Sequence, residues 1–271
     1  MTSQQEIVDL ILDKLNSNKD ELVRQWQNPE GTSTRHFLVD DLLPSELCSD
    51  IYNAFPKGGD DLHSTNTFRE KKRATVNVNN YEQIICNITY AIQAKAIVEL
   101  VANICKFDRL EPDPQLYAGG VSLMTKGDFL NPHLDNSHDA KRTKYRRLNL
   151  LYYVSPEWKI ENGGNLELWD ETRTTPKTLP SLANRLVVME TNRLTWHSVS
   201  KVQVDSPRCC VSNYYFSEIS PDNTDYFHVT QFSGRPEQKM RQALGIVDNA
   251  LRGFVSKSLK ISRKRIRKDN D

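Results

Sequence analysis

The chain has little that would staple, anchor or steer it from outside. Its 271 residues include only five cysteines, Cys48, Cys86, Cys105, Cys209 and Cys210. Their number is odd and no two form a C-x-x-C pair, which argues against a disulfide framework or a structural zinc site. The first three lie in apolar, helix-like stretches where free thiols are commonly buried. Adjacent Cys209 and Cys210 suit opposite faces of one strand. This usage predicts a reducing, cytoplasmic compartment. No apolar run approaches the ~18 residues of a membrane span, so no transmembrane segment is expected. The N-terminus, MTSQQEIVDLILDKL, has no basic start and carries acids inside its apolar stretch, the pattern of an amphipathic helix rather than a signal peptide. Charge of one sign is lacking too: the formal net charge is +1, so no whole-molecule field points to nucleic acid or membrane. Internal repeats and low-complexity segments are absent.

What is present suits one sizeable domain that buries a core without staples. The near-zero charge hides an asymmetry, because Lys257–Lys268 (KSLKISRKRIRK) holds seven basic residues and no acid, leaving about −6 on the rest (+1 minus 7). Such a run reads first as a solvated tail and second as a contact for an acidic surface, either membrane or nucleic acid. Apolar spacing predicts a helix from Gln4 to about Trp26, a short strand in RHFLVDDLL, a helix from Pro44 to about Phe55, a loop over 57–72 and two helices within Tyr81–Lys106. After Pro112 come short runs divided by turn signals: LYAGGVSLM, FLNPHLD, RRLNLLYYV, GNLELWD, NRLVVME, TWHSVS and RCCVSNYYFS. Many short strands so divided predict a β-sandwich or barrel. RLNLLYYV and RCCVSNYYF are apolar on both faces, as where a sheet lines a barrel inside and carries helices outside. A last helix is expected from about Pro236 to Ser258.

One constellation carries chemistry. In a strand, His133 and Asp135 share a face and Leu134 takes the other. An imidazole and a carboxylate can hold two adjacent positions on a metal, and His197, in a later strand, offers the third. Two histidines and a carboxylate on one face of an octahedron suit a non-haem Fe(II) oxygenase, with three positions left open. A 2-oxoacid takes two of these and dioxygen the third. The far carboxylate of the 2-oxoacid needs a cation, and Arg208, in a strand expected to run beside that of His197, has the forked donors for it. Each histidine alone would more often be structural; the joint pattern in strand-rich sequence favours a metal.

At these residues the chain resembles the prolyl 4-hydroxylase-like branch of the Fe(II)/2-oxoglutarate dioxygenases, over about Leu116–Ser217. The blocks PHLDN, LLYYVSPEW with Trp158, GGNLELWDE with Gly163-Gly164, NRLVVMET, WHSVSKV and RCCVSNYYF carry the resemblance. It implies an α+β fold with a double-stranded β-helix (jelly-roll) core, N-terminal supporting helices and a C-terminal helix. As one structural unit, 1–112 would supply helices and a first strand packing on the sheet, 113–232 the catalytic core, and 233–271 the last helix and basic tail. It implies that His133, Asp135 and His197 are catalytic iron ligands, that Arg208 and Tyr153 bind the distal carboxylate of 2-oxoglutarate, and that Fe(II), 2-oxoglutarate and O2 are required, with ascorbate in support. Related halogenases lack the carboxylate ligand, so Asp135 implies hydroxylation. Where the family often has a tyrosine near the metal-binding hairpin, this chain has Met124, so a phenol contact is expected to be missing. Tyr214 matches a substrate-contact position.

The expected activity is hydroxylation of an unactivated C–H of a prolyl-type side chain, peptidyl or free, with 2-oxoglutarate converted to succinate and CO2. The same chemistry on a sugar, glycan or other small metabolite is the alternative, so the partner is a peptide or a small molecule. A non-catalytic, cupin-like metal-binding module is the reading from another class, and Arg208 and Tyr153 count against it. His138, in the charged stretch DNSHDAKR, reads as solvated or substrate-facing. The polar connector Asn136–Arg147 reads as a solvated hairpin or a substrate lid, and Trp169 as packing.

Overall fold

Apolar residues at helical spacing build the first layer. In the computed structural model, which describes residues 2–56, 62–75, 77–117, 119–170 and 172–238, helix α1 (Gln4–Ser17) starts on a capping box. Ser3 Oγ accepts from the Glu6 amide at 3.2 Å and Glu6 Oε2 accepts from the Ser3 amide at 2.6 Å. The single helix expected through Trp26 is in fact two. The Asn18 side-chain amide donates to Lys14 O at 2.8 Å, an alternative to the helical ladder, and α2 (Lys19–Gln27) starts afresh after it. Helices α3 (Ser45–Asn53), α4 (Gln83–Ala91) and α5 (Lys95–Cys105) fall where their spacing put them. Among the described residues no single helix is long and apolar enough to cross a membrane.

The strands are β1 (His36–Val39), β2 (His63–Asn66), β3 (Glu70–Thr75), β4 (Gly120–Met124), β5 (Phe129–Leu134), β6 (Tyr145–Tyr153), β7 (Leu166–Trp169), β8 (Pro176–Leu179), β9 (Arg185–Glu190), β10 (His197–Val199), β11 (Arg208–Ser217) and β12 (Gln231–Phe232). They form one antiparallel sheet in the order β1-β9-β6-β11-β4-β3-β5-β10-β7-β8, with β2 against β3 and β12 against β5. Hydrophobic clusters show that this sheet curls. Tyr153 and Cys210 from β6 and β11 pack with Leu166, Leu168 and Leu179 from β7 and β8, near the other end of the strand order. The opposite faces of β6, β9 and β11 (Leu148, Leu150, Tyr152, Leu186, Val188, Val211) join the helices around Ile7, Trp26, Ile51 and Val101. The two apolar faces of RLNLLYYV and RCCVSNYYF thus have two partners, and Cys209 and Cys210 divide between the outer and inner clusters. All five cysteines are buried and free. The result is an α+β fold on a double-stranded β-helix core.

Four strands lay outside the expected set, β2, β3, β8 and β12, the first three for a physical reason. Residues 57–72 include the hairpin of β2 and β3, whose HSTN and EKKRAT carry no apolar alternation because most of their side chains remain accessible. Yet β3 bridges the sheet, pairing Arg73–Thr75 with β4 and Glu70–Lys71 with β5. The third, β8, opens on Pro176 at the end of the sheet, where a missing N–H costs no ladder bond. The expected last helix and the basic run Lys257–Lys268 lie beyond Gln238, outside the described residues.

Candidate active site

β5 and β10 pair with His133 directly opposite His197, so the two imidazoles leave one face of the sheet. Asp135 follows the end of β5 and returns to that face. His133 Nδ1 lies 3.0 Å from Asn131 O, and His197 Nδ1 lies 3.0 Å from Thr195 O. Those nitrogens therefore carry the protons, and both Nε2 lone pairs are free for a metal. The ring centroids are 4.1 Å apart, and Asp135 Oδ1 and Oδ2 stand 3.8 and 3.6 Å from the Nε2 atoms of His133 and His197. One ligand atom from each of the three residues falls within 4.8 Å of the others. Burial, reinforced by His197, lowers the His133 pKa to about 3. Burial alone would raise the Asp135 pKa, but Arg146 and the two imidazoles outweigh it and bring it to about 2. A neutral imidazole beside a firmly ionised carboxylate is the donor set a divalent iron requires, and the residues fit that ion.

Arg146 had no place in the sequence reading. Strict alternation along β6 sets Arg147, not Arg146, on the inner face with Tyr153. A bulge reverses this: Leu148 opposes Tyr215 while Arg146 opposes Phe216, so Arg147 is the extra residue. Arg146 therefore turns inward, Nη1 3.3 Å from Asp135 Oδ2, Nη2 donating to Asn136 Oδ1 at 2.7 Å, and Cζ 4.0 Å from the Tyr214 ring centroid. Arg147 turns outward onto Phe107, 4.4 Å from its centroid. Arg146, Tyr214, Tyr117, Lys72 and Phe232 line a cavity of about 100 Å³ that opens on His133 and Asp135. Met124 supplies no phenol, as expected from the sequence, but Tyr117 and Tyr214 bring two to this wall.

Arg208 and Tyr153 come together on the inner face. The guanidinium carbon lies 4.6 Å from the Tyr153 ring centroid. The expected neighbour of the Arg208 strand is corrected: β11 runs between β4 and β6, and β10 runs between β5 and β7. Arg208 reaches the interior because the sheet curls, not because its strand adjoins that of His197. It does not line the cavity on the triad. The connection runs through Leu168, which shares a face with its register partner His197 and packs in one cluster with Tyr153. Arg208 is 3% exposed, its Nε donates to Ser181 Oγ at 3.4 Å, and its Nη1 meets Met124 Sδ at 3.8 Å. Among the described residues no carboxylate lies within ion-pairing distance of it. Among the described residues the buried Tyr153 hydroxyl makes no well-formed hydrogen bond, and burial raises its pKa against the pull of Arg208 and a weak contact with Ser181. A buried cation beside an unsatisfied phenol is a costly arrangement that a carboxylate would complete.

The Gly163-Gly164 pair supports this pocket. A Cβ on Gly164 would sit 3.2 Å from Arg208 Cδ, and one on Gly163 would sit 2.0 Å from Lys201 O. Gly163 also holds φ 69° and ψ −157°, a region open essentially to glycine alone. Gly163→Ala is expected to cost roughly 3 kcal/mol or more of stability, read as a lower urea midpoint; an unchanged midpoint would refute the close approach.

Other expectations fare differently. His138 is buried rather than solvated: its Nδ1 lies 2.7 Å from Ser137 Oγ and its ring 4.3 Å from that of Tyr145. The Asn136–Arg147 connector is partly core, since Ser137, His138, Arg146 and Arg147 are all buried. Trp169 packs, 2% exposed, and its Nε1 donates to Ser198 Oγ at 2.7 Å.

Comparison with known proteins converges on the same elements. The model of the 2OG-Fe(II) oxygenase superfamily matches residues 119–216, which include the triad, Tyr153 and Arg208. No curated protein sequence matches the chain. Among solved structures, a prolyl 4-hydroxylase from Phytophthora capsici is 13% identical over 93% of this chain and 78% of its own, with a TM-score of 0.56. A 2OG-Fe(II) oxygenase family oxidoreductase from Burkholderia pseudomallei is 12% identical over 74% and 91%, with a TM-score of 0.52. A prolyl hydroxylase from Trichoplax adhaerens, solved with a peptide fragment of hypoxia inducible factor, is 14% identical over 82% and 94%, at 0.50. At these identities the likeness is one of fold. Residues 119–216, which hold the triad, Tyr153 and Arg208, thus match the 2OG-Fe(II) oxygenase superfamily, whose dioxygenase chemistry uses Fe(II), 2-oxoglutarate and O2.

Proposed function

We propose that the chain hydroxylates a prolyl-type side chain, with His133, Asp135 and His197 holding the iron and Arg208 and Tyr153 gripping the distal carboxylate of 2-oxoglutarate. The observation that carries the cosubstrate assignment is the buried Arg208 guanidinium with no carboxylate partner among the described residues. When bound, iron and 2-oxoglutarate supply the oxidising chemistry, yielding succinate and CO2 and leaving one oxygen on the substrate. The protein's part is placement. Asn131 O and Thr195 O fix the imidazole tautomers, Arg146 holds Asp135 ionised, and Tyr214, Tyr117 and Phe232 line the cavity that opens on the triad. Solved prolyl hydroxylases of this fold, one of them bound to a peptide, favour a peptidyl substrate over a sugar. The free, buried thiols support a reducing, cytoplasmic setting.

The test is an anaerobic titration of the chain with Fe(II) and 2-oxoglutarate, followed by O2 and a library of proline-containing peptides. Expected are a visible charge-transfer band on chelation, succinate release, and a gain of one oxygen on a peptide. Absence of 2-oxoglutarate binding would sink the cosubstrate assignment. Oxygen gained only by sugars or small metabolites would sink the prolyl one.

A further inference from the structure

We infer that Arg235 is a positioning residue for the iron site, acting on His197 through Glu167 and Ser198; this rests on the proposed assignment of His197 as an iron ligand. The strand that carries His197 is held regularly on one side only, by β7. β10 is three residues long, and its register against β5 slips between His197 and Val199, so Ser198 sits at an irregularity right beside the imidazole. On the β5 side the ladder does not fix Ser198, so side-chain bonds are left to help the His197 ring keep its aim.

A polar chain on the opposite face of the sheet does so. Ser198 Oγ accepts from Trp169 Nε1 at 2.7 Å and donates to Glu167 Oε2 at 2.5 Å. Glu167 is the register partner of Ser198 on β7, and Leu168 that of His197. Arg235 closes the chain with a forked pair to Glu167, Nη1 to Oε1 at 3.2 Å and Nη2 to Oε2 at 2.5 Å, and Nη2 also reaches Val199 O at 3.4 Å. The side chains of this pair are 17% and 9% exposed, so it is little screened by solvent. A forked guanidinium–carboxylate contact restricts geometry more than a point charge would.

The same stretch of chain also grips the strand of His133. In β12, Gln231 and Phe232 pair with Leu134 and His133, and the Ser233 amide donates to Pro132 O at 2.8 Å. The Phe232 ring stacks on His133, centroids 5.5 Å apart with planes 22° from parallel. Residues 231–235 therefore bond to both ligand-bearing strands, one at each end of a five-residue segment. Arg235 lies on the face of β7 and β10 opposite His197 and holds the strand pair at the spacing the ligands need.

The test uses Co(II), whose ligand-field bands report the geometry of its donors, on the full chain and on Arg235→Gln, Arg235→Lys, Ser198→Ala and the Arg235→Gln/Ser198→Ala double variant. Arg235→Gln is expected to weaken Co(II) binding about tenfold, the lower end of what distant support of ligands contributes, and to shift the ligand-field bands. Arg235→Lys, which keeps the charge without the fork, should fall between it and the parent. Ser198→Ala cuts the same chain at its other end, so the double variant should be no worse than the weaker single one. Unchanged bands and affinity in Arg235→Gln, or losses in affinity that add in the double variant, would overturn the inference even if the melting temperature fell. Failure of the parent chain to bind Co(II) would remove the iron-site assignment itself, and the inference with it.

Discussion

Asp135→Ala is expected to abolish iron retention and succinate formation together, and to destabilise the apoprotein. The first effect follows from the donor set. Two imidazoles alone leave an iron(II) ion without the anionic donor that holds it between His133 and His197. The second follows from Arg146, which is 2% exposed and loses the carboxylate 3.3 Å from its Nη1. Removing one partner of a buried ion pair costs about 3–5 kcal/mol, because the other charge stays buried. The two effects separate on a second substitution. Asp135→Ala with Arg146→Met should regain most of the apoprotein's urea midpoint and none of its turnover. Because the Asp135 pKa lies near 2, below the ~3.9 of a free aspartate, the pair's contribution is present through the neutral range. It is lost only as pH falls from about 4 towards 2, so both comparisons should read alike from pH 6 to pH 8. Unchanged succinate production in Asp135→Ala would take this residue out of the ligand set.

The parts of the site legible in the sequence are those that obey local periodicity. His133 and Asp135 could be assigned a common face because the irregularity in β5 falls before His133, between Leu130 and His133, and Tyr153 and Cys210 could be set facing inward because β6 and β11 alternate cleanly over most of their length. What escaped depends on departures from periodicity or on closure of the sheet. One extra residue at Arg147 exchanges two adjacent arginines between the faces of β6, and nothing in RRLN signals it. Curling of the sheet, not adjacency of strands, brings Arg208 inward, so the neighbour expected for β11 was wrong. The β2–β3 hairpin is polar on all sides and gave hydrophobic spacing nothing to detect, yet its Lys72 helps wall the cavity. Ser181, which joins Arg208 Nε to Gly164 O, is a lone serine in a loop, visible only once the chain is folded. His138 misled because its neighbours in sequence are charged while its neighbours in space, Tyr145, Tyr226 and Phe227, are aromatic.

Arg208→Met is expected to eliminate 2-oxoglutarate binding while leaving the apoprotein as stable as the parent or more so. The two signs oppose each other, which makes this the sharper of the large-effect tests. In the apoprotein the buried guanidinium has a hydroxyl, a thioether and an aromatic face for company, and among the described residues no carboxylate at ion-pairing distance. Keeping a charge in such a place costs free energy, and an apolar side chain of similar length removes that cost. Methionine also keeps contact with Gly164, against which the Arg208 side chain packs. With cosubstrate the balance reverses. At 100 times its dissociation constant, 2-oxoglutarate should stabilise the parent by about 2.7 kcal/mol through binding to the folded state alone. Arg208→Met should show no such rise, and its KM for 2-oxoglutarate should increase at least about a hundredfold, the range expected when a buried charge-assisted fork is lost. Tyr153→Phe removes one neutral donor and should cost less, on the order of tenfold. Thermal melts of parent and variant, each with and without 2-oxoglutarate, give the whole comparison. A variant whose melting temperature still climbs with 2-oxoglutarate would show that another cation holds the carboxylate. An apoprotein that falls sharply on Arg208→Met would show that the arginine is part of the core's support rather than a charge waiting for its partner.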